Sequence, residues 1–331
     1  MLSLKPSVTA IEYDTDAAWH NIRRRHVTGT DVAALMGCSP WKTALDVYLD
    51  KTVGTEPLEN NDAMRFGRLF EAPILAELAH RIDRRIETPK AVFRNEAHPR
   101  ICGTFDGAVL RHDQPYTLDV STWEAGAEAK TARQRWNAGV PEHYLWQVQT
   151  YLMISALPYW WVAAMHGVND IEVYQIYPDR ERHAAIEQVV DALWQAVDSG
   201  VPPEPSWQHP AVLESVRRLN ATKPAPEVVP VELQGDAVEA LCVYARAKVE
   251  MEAAEKAKSE ALARIEHAMN GATKAIGGGY SVTLSKRSRT SYSVPREVQE
   301  QYPAKTSEYT VPLVTLLSDK PAKRTKKEAQ S

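Results

Sequence analysis

The chain has 331 residues, of which 44% are apolar and 25% charged, with a formal net charge of −4. This length can bury a large core and still hold a second unit, and no run of ~18 apolar residues marks a membrane span. Cys38, Cys102 and Cys242 lie too far apart for a disulfide framework, a zinc site or a four-cysteine iron–sulfur cluster, and the negative balance leaves any attraction to DNA to local basic patches.

Taken from the N-terminus, residues 1–18 mix charged and polar side chains instead of an apolar signal-peptide core, which predicts a cytoplasmic protein. Apolar residues at helical spacing predict helices over 16–24, 30–36, 44–51 and 61–84, the last with Met64, Phe66, Leu69, Phe70, Ile74, Leu75 and Leu78. Strands are predicted over 87–95, 101–110 and 126–131, with an insertion-like stretch over 111–126 that elaborates the hairpin between them. A helix then starts near Pro141. Strands follow over 159–166, where Tyr159-Trp160-Trp161 reads as core, and over 171–176. Next comes a helix over 179–199 with Ile186, Val189, Val190, Leu193 and Val197 at helical spacing. Such alternation predicts a mixed α/β fold, a central mixed sheet flanked by helices.

Prolines at 202, 203 and 205, and again at 224, 226 and 230, punctuate the chain. They divide it into a domain over 1–205, a linker over 206–232, an accessory domain over 233–317 and a basic disordered tail over 318–331. The accessory domain reads as one long charged helix over 236–269, with an imperfect apolar stripe through Leu241, Tyr244, Met251, Leu262, Ile265 and Met269, followed by a small hairpin around Gly277-Gly278-Gly279 that runs to 293. That helix can pack on its own hairpin, pair with another subunit or bind a partner.

Three short segments carry chemistry: Gly103-Thr104-Phe105-Asp106-Gly107, Glu128-Ala129-Lys130 and Trp146-Gln147-Val148-Gln149. In a strand, side chains two apart share a face, so Glu128 and Lys130 point into one cleft while Ala129 turns away. If Asp106 ends a neighbouring strand, its carboxylate joins Glu128 as a hard oxygen ligand for Mg²⁺, with Lys130 beside the attacking water. The residues alone support metal-assisted phosphodiester hydrolysis. Read singly, each piece has a plainer meaning. Glu128 and Lys130 fit a solvated strand face, Asp106-Gly107 a hairpin turn, Glu71 a surface glutamate, Gln147 a helix-face hydrogen bonder, and Arg23 the solvated cluster Arg23-Arg24-Arg25-His26.

Order and context give the segments more weight. Together with Trp19-His20-Asn21-Ile22-Arg23, Val27-Thr28-Gly29-Thr30, Gly37-Cys38-Ser39-Pro40-Trp41-Lys42 and Ala63-Met64-Arg65-Phe66-Gly67-Arg68-Leu69-Phe70-Glu71, they follow one another as in a known family. From about Trp19 to Pro205 the chain resembles the lambda-exonuclease and YqaJ-type viral recombinase nucleases of the PD-(D/E)XK superfamily. Phe105 stands where the superfamily's name has proline, and Thr30 and Thr104 where serine is the familiar choice.

The resemblance implies a restriction-endonuclease-like core with Asp106, Glu128 and the Ala129 carbonyl as metal ligands. It also implies Lys130 as the active lysine, Glu71 as a helix carboxylate completing the site and Gln147 lining it. Arg23, Thr30 and Thr104 would form a pocket for a DNA 5′-phosphate; independently of the resemblance, the basic stretch Arg133-Gln134-Arg135 after Lys130 offers Arg133 and Arg135 as contacts to the DNA backbone. By the same resemblance the protein is a 5′→3′ exonuclease on linear double-stranded DNA, dependent on Mg²⁺ with Mn²⁺ as a substitute. It would leave 3′ overhangs for a single-strand annealing protein, as a phage or prophage product in the bacterial host cytoplasm. A homo-oligomeric ring, a trimer by analogy, belongs to the same expectation. Two other readings use these residues: a structure-specific or restriction-like endonuclease, and a non-catalytic module that binds DNA ends or a partner.

Overall fold

The computed structural model describes residues 7–54, 62–167, 170–223, 231–291 and 305–316. Contacts divide the chain into two compact units, Met1–Glu227 and Val228–Ser331. In the first, the elements in order are β1 (Val8–Glu12), α1 (Asp16–Arg24), α2 (Gly29–Leu35), α3 (Ala44–Thr52), α4 (Asp62–Ile82), β2 (Ile86–Glu87), β3 (Ala91–Asn95), β4 (Gly107–Leu110), β5 (Trp123–Ala132), α5 (Glu142–Ser155), β6 (Trp160–His166), β7 (Asp170–Ile176), α6 (Arg180–Ser199) and α7 (Val212–Ala221).

Helix starts follow local chemistry. Thr28 and Thr43 each open a helix with a reciprocal capping box, pairing with Asp31 and Asp46 three residues on. Asp179 caps α6 by accepting from the N–H groups of Glu181 and Arg182, and Gly200 ends that helix in the left-handed conformation.

The main sheet has the order β2-β4-β5-β6-β7, antiparallel except for the parallel pair β5 and β6. A parallel neighbour requires a crossover, and α5 supplies it. On one face, Ile74, Leu75 and Leu78 of α4 pack against Val109, Ala125, Ala127 and Ala163. On the other face, α2, α3, α5 and α6 enclose Phe93, Phe105, Trp123, Trp160 and Ile154. Each fully buried side chain of this kind contributes roughly 1.5–3 kcal/mol. A bulge sets Leu110 opposite Trp123 but Val109 opposite Ala125. The extra residue switches the alternation, so Trp123 faces the aromatic core while Ala125 and Ala127 face α4.

The central mixed sheet flanked by helices agrees with the sequence reading, but several boundaries differ. The strand expected over 87–95 breaks into β2 and β3 around Pro89, which has no N–H to give a ladder. The one expected over 101–110 changes partners: Ile101 bridges Val27, Gly103 bridges Phe93, and only Gly107–Leu110 joins the main sheet. Strand β1, unforeseen, pairs with β3 from Val8 opposite Asn95 to Glu12 opposite Ala91.

The expected linker over 206–232 requires correction in its first half, where α7 docks on α3. Arg218 binds Asp46 and Asp50, each at 2.9 Å, and the Ser215 hydroxyl donates to Asp46 at 2.8 Å. Asp50 also meets Lys42, which reaches Asp31, and Asp31 in turn binds the buried Lys51 at 2.8 Å. These charges form one network that pins α2, α3 and α7 together.

The second unit contains α8 (Asp236–Met269), β8 (Lys274–Gly277), β9 (Tyr280–Ser291) and β10 (Lys305–Leu316), the strands in the order β10-β9-β8. The hairpin turn at Gly278-Gly279 has positive φ at both residues, as expected for glycines there. The expected hairpin is thus a three-stranded sheet. Ile265, Ala268 and Met269 near the C-terminal end of α8 line a cavity with Ala275, Ile276 and Val282 of the sheet, and Met269 and Val282 are buried. Residue 61 of the helix expected over 61–84, residues 224–230 of the expected linker, the end of the hairpin at 292–293 and the tail over 318–331 lie outside the described residues. Among the described residues, no helix is long and apolar enough to cross a membrane.

Two glycines test the packing. A Cβ on buried Gly126 would stand 2.3 Å from the Trp160 ring, so Gly126→Ala is expected to cost at least about 1–3 kcal/mol. Gly67 in α4 has nothing within 4 Å of such a Cβ, and Gly67→Ala is expected to gain about 0.5–1 kcal/mol. Urea unfolding midpoints of the two variants against the parent chain check both signs.

Candidate active site

The site is built where the start of β4 meets the middle of β5 beneath α5. The Ala129 N–H donates to Asp106 Oδ2 at 3.0 Å, which fixes the aspartate just before β4 against β5. Glu128, on the α5 face of β5, has a side chain only 2% exposed. Its Oε1 accepts from Lys130 Nζ at 2.5 Å and from Gln147 Nε2 at 2.7 Å. Gln147 Nε2 also donates to the Tyr151 hydroxyl at 2.8 Å. Strand period two brings Glu128 and Lys130 together, as the sequence predicts, and helical spacing brings Gln147 and Tyr151 together.

Burial dominates the electrostatics. It pushes Glu128 up to about 8, aided by the neighbouring Asp106 charge and opposed by Lys130. Burial also raises Asp106, against the pull of Lys130 and the Ala129 N–H. For Lys130, burial alone would lower the ammonium pKa, but Glu128 and Asp106 more than offset it, so the group stays charged. The Tyr151 hydroxyl is raised well above its ordinary value, first by burial and then by both carboxyls, and remains a neutral acceptor. Glu71 on α4 rises to about 7 through burial and then through the Asp106 charge, while Lys130 pulls it down. This places Glu71 within electrostatic reach of the pair, although no direct hydrogen bond joins it to them among the described residues.

The donor set fits a hard divalent cation. Glu128 Oε2 is buried and meets no N–H or hydroxyl donor among the described residues; its neighbour is the Asp106 carboxyl, with which it can share only a proton or a cation. No group of three or more His, Cys, Asp or Glu gathers in metal-holding geometry among the described residues. Two carboxylates plus a backbone carbonyl suit Mg²⁺, which takes few protein ligands and completes its shell with water and phosphate oxygens. Asp106, Glu128 and the Ala129 carbonyl are the residues that would hold it.

Thr104 lies on the side of its segment shared with Cys102, and Arg23 reaches the same neighbourhood, acting on Cys102, Asp31 and Tyr151. The Arg23 guanidinium sits 4.3 Å over the Trp19 ring. Thr30 is exposed near the start of α2, its hydroxyl 3.1 Å from that of Thr28. Hydrogen bonds do not link Arg23, Thr30 and Thr104 to one another among the described residues. Arg133 is exposed. Arg135 is exposed, and Asp170 holds its guanidinium at 2.7 and 2.9 Å, with Glu172 at 3.4 Å.

The sequence reading missed two supports of the site. Tyr144, one helical turn before Gln147, places its ring 4.9 Å from Lys130 Nζ; the spacing of Tyr144, Gln147 and Tyr151 was the available signal. Gly29 packs so tightly on α5 that a Cβ would stand 3.0 Å from Gln147 Cγ and from its backbone oxygen.

Residues 18–158 match the family described as the YqaJ-like viral recombinase domain. Over 182 residues the chain is 25% identical to "Uncharacterized protein YqaJ" of Bacillus subtilis (strain 168), a match covering 54% of this chain and 53% of that protein. The chain thus spans about half the length of this curated relative. Among solved structures, it is similar to an alkaline exonuclease (LHK-Exo) from Laribacter hongkongensis, with 16% identity, a TM-score of 0.43 and coverage of 62% of this chain and 98% of that one. A phage related exonuclease from Haemophilus somnus 129PT is also similar, with 12% identity, a TM-score of 0.41 and coverage of 55% and 98%. The matched segment carries Arg23, Asp106, Glu128, Lys130 and Gln147, and over that segment the chain is similar to the YqaJ-like viral recombinase domain.

Proposed function

We propose that the protein is a metal-dependent deoxyribonuclease that digests linear double-stranded DNA from the 5′ end. The observation that carries this reading is the buried Glu128 carboxylate, one oxygen held by Lys130 and Gln147 and the other left without a donor beside Asp106. A bound divalent cation would supply charge to offset that which builds on the scissile phosphate. Lys130 keeps an ammonium at the mouth of the carboxylate pair, where it orients the attacking water. Gln147 fixes the Glu128 rotamer, and Tyr151 fixes Gln147. Glu71, with its raised pKa, is suited to accept a proton near neutrality. The 5′→3′ direction, the 3′ overhang, the annealing partner, Mg²⁺ as the ion, the ring-shaped oligomer and the cytoplasmic setting are proposed on the family resemblance.

The division of labour predicts that Glu128→Gln and Lys130→Ala each lower cleavage by roughly 10²–10⁴-fold while DNA binding persists. The measurement is digestion of end-labelled linear duplexes in Mg²⁺ alongside a gel-shift assay. Covalently closed circular DNA is expected to survive; its cleavage would favour the endonuclease reading, and unchanged digestion by both variants would favour a binding module.

Protons and a cation compete for the same carboxyls. Glu128 near 8 and Glu71 near 7 are largely protonated in mild acid, so affinity for a divalent ion is expected to climb with pH through these values and level off above them. Calorimetric titration of Mg²⁺ into the DNA-free protein between about pH 6 and 9 checks this, and Glu71→Gln should remove the lower part of the rise. A flat profile would count against these protonation states.

A further inference from the structure

The isolated pairing between β3 and the segment before β4 sets a row of side chains that the proposed chemistry does not use. Phe93 and Gly103 exchange both backbone hydrogen bonds, at 2.7 and 3.0 Å, so they lie directly opposite. Their neighbours Arg94 and Cys102 are therefore opposed on the other face, which Thr104 shares. On the far side of Cys102, the bridge between Val27 and Ile101, with Cys102 N–H donating to the Val27 oxygen at 2.9 Å, brings Thr28 into the same row. Thr28 in turn carries Thr30 through their hydroxyls. Arg94, Cys102 and Thr28 thus span this face, with Thr104 beside them.

Charge around this row is unbalanced. Lys42 and Lys51 are both bound to Asp31, whereas no carboxylate pairs with Arg23 or Arg94 among the described residues. Arg94 Nε is buried and has no hydrogen-bond partner among the described residues. Both guanidinium groups work on the Cys102 thiol, which burial pushes up to about 12. Asp31, whose charge also acts on Arg23, is already bound by Lys42 and Lys51, so the half-buried Arg23 and the partnerless Arg94 Nε are left for an incoming dianion to satisfy. A terminal phosphate monoester supplies the charge and the several acceptor oxygens that two planar forks can share.

We propose that Arg94 is the second cation of the 5′-phosphate pocket, acting with Arg23 and the Thr30 and Thr104 hydroxyls to select phosphorylated ends. This rests on the exonuclease reading for its substrate, but the pocket can be probed without cleavage.

The test uses the full chain and duplexes carrying a 5′-phosphate or a 5′-hydroxyl. Arg94→Gln is expected to raise KM on phosphorylated ends about tenfold with kcat unchanged, to leave hydroxyl ends unaffected, and Arg94→Lys to recover part of the preference. A parallel calorimetric titration with inorganic phosphate should show about a tenfold loss of affinity in Arg94→Gln. Circular dichroism separates a folding defect from this effect, and the Lys variant serves if the Gln variant unfolds. A wild-type preference or phosphate affinity retained in Arg94→Gln overturns the proposal. Equal digestion of both ends by the parent chain overturns the pocket and leaves the nuclease reading standing. Arg94-dependent phosphate binding in a chain that cuts no DNA supports the pocket and overturns that reading.

Discussion

The arrangement of this domain depends on one enclosed carboxylate. Glu128 is almost wholly removed from water, and an isolated charge there would be neutralised by proton uptake. Lys130, Gln147 and the geometry that delivers them make the ionised form attainable. A strand provides the lysine two residues on, and a crossover helix between parallel strands lays the glutamine above it. The mixed sheet is thus also the means by which a short acidic motif acquires its surroundings.

Support continues outward from that carboxylate. Tyr151 binds Gln147 and packs on Phe105, the residue just before Asp106, with ring centroids 5.1 Å apart. The aromatic core therefore contacts both segments that supply the acidic groups. Farther out, Asp31, Lys42, Lys51, Asp50, Asp46 and Arg218 bind α2, α3 and α7 into one network. Burial alone would raise the Asp31 pKa, but Lys42, Lys51 and Arg23 outweigh it and hold the carboxyl far below the ordinary range, so Asp31 stays ionised at the centre of its lysines.

The acidic pair, the lysine and the glutamine were legible because their relations are local: period two in β5 and helical spacing in α5. The sheet and most helices were legible for the same reason. What escaped depends on distant partners. Strand β1 exists because Val8–Glu12 meets Ala91–Asn95, and α7 because Arg218 finds Asp46 and Asp50. The ion partners of Arg135, Asp170 and Glu172, also lie on a distant strand, β7. The bulge opposite Leu110 likewise has no signature in the alternation of 123–131.

The missing side chain at Gly29 has a mechanical consequence. It lets the first turn of α2, which bears Thr30, rest directly on the backbone of Gln147. On the exonuclease reading, the anchor for a strand terminus and the holder of the metal-facing acid are then separated by rigid main chain. Such an assembly behaves as a fixed gauge: each newly seated end would present the same linkage for scission, and product length would be dictated by the spacing of two helices.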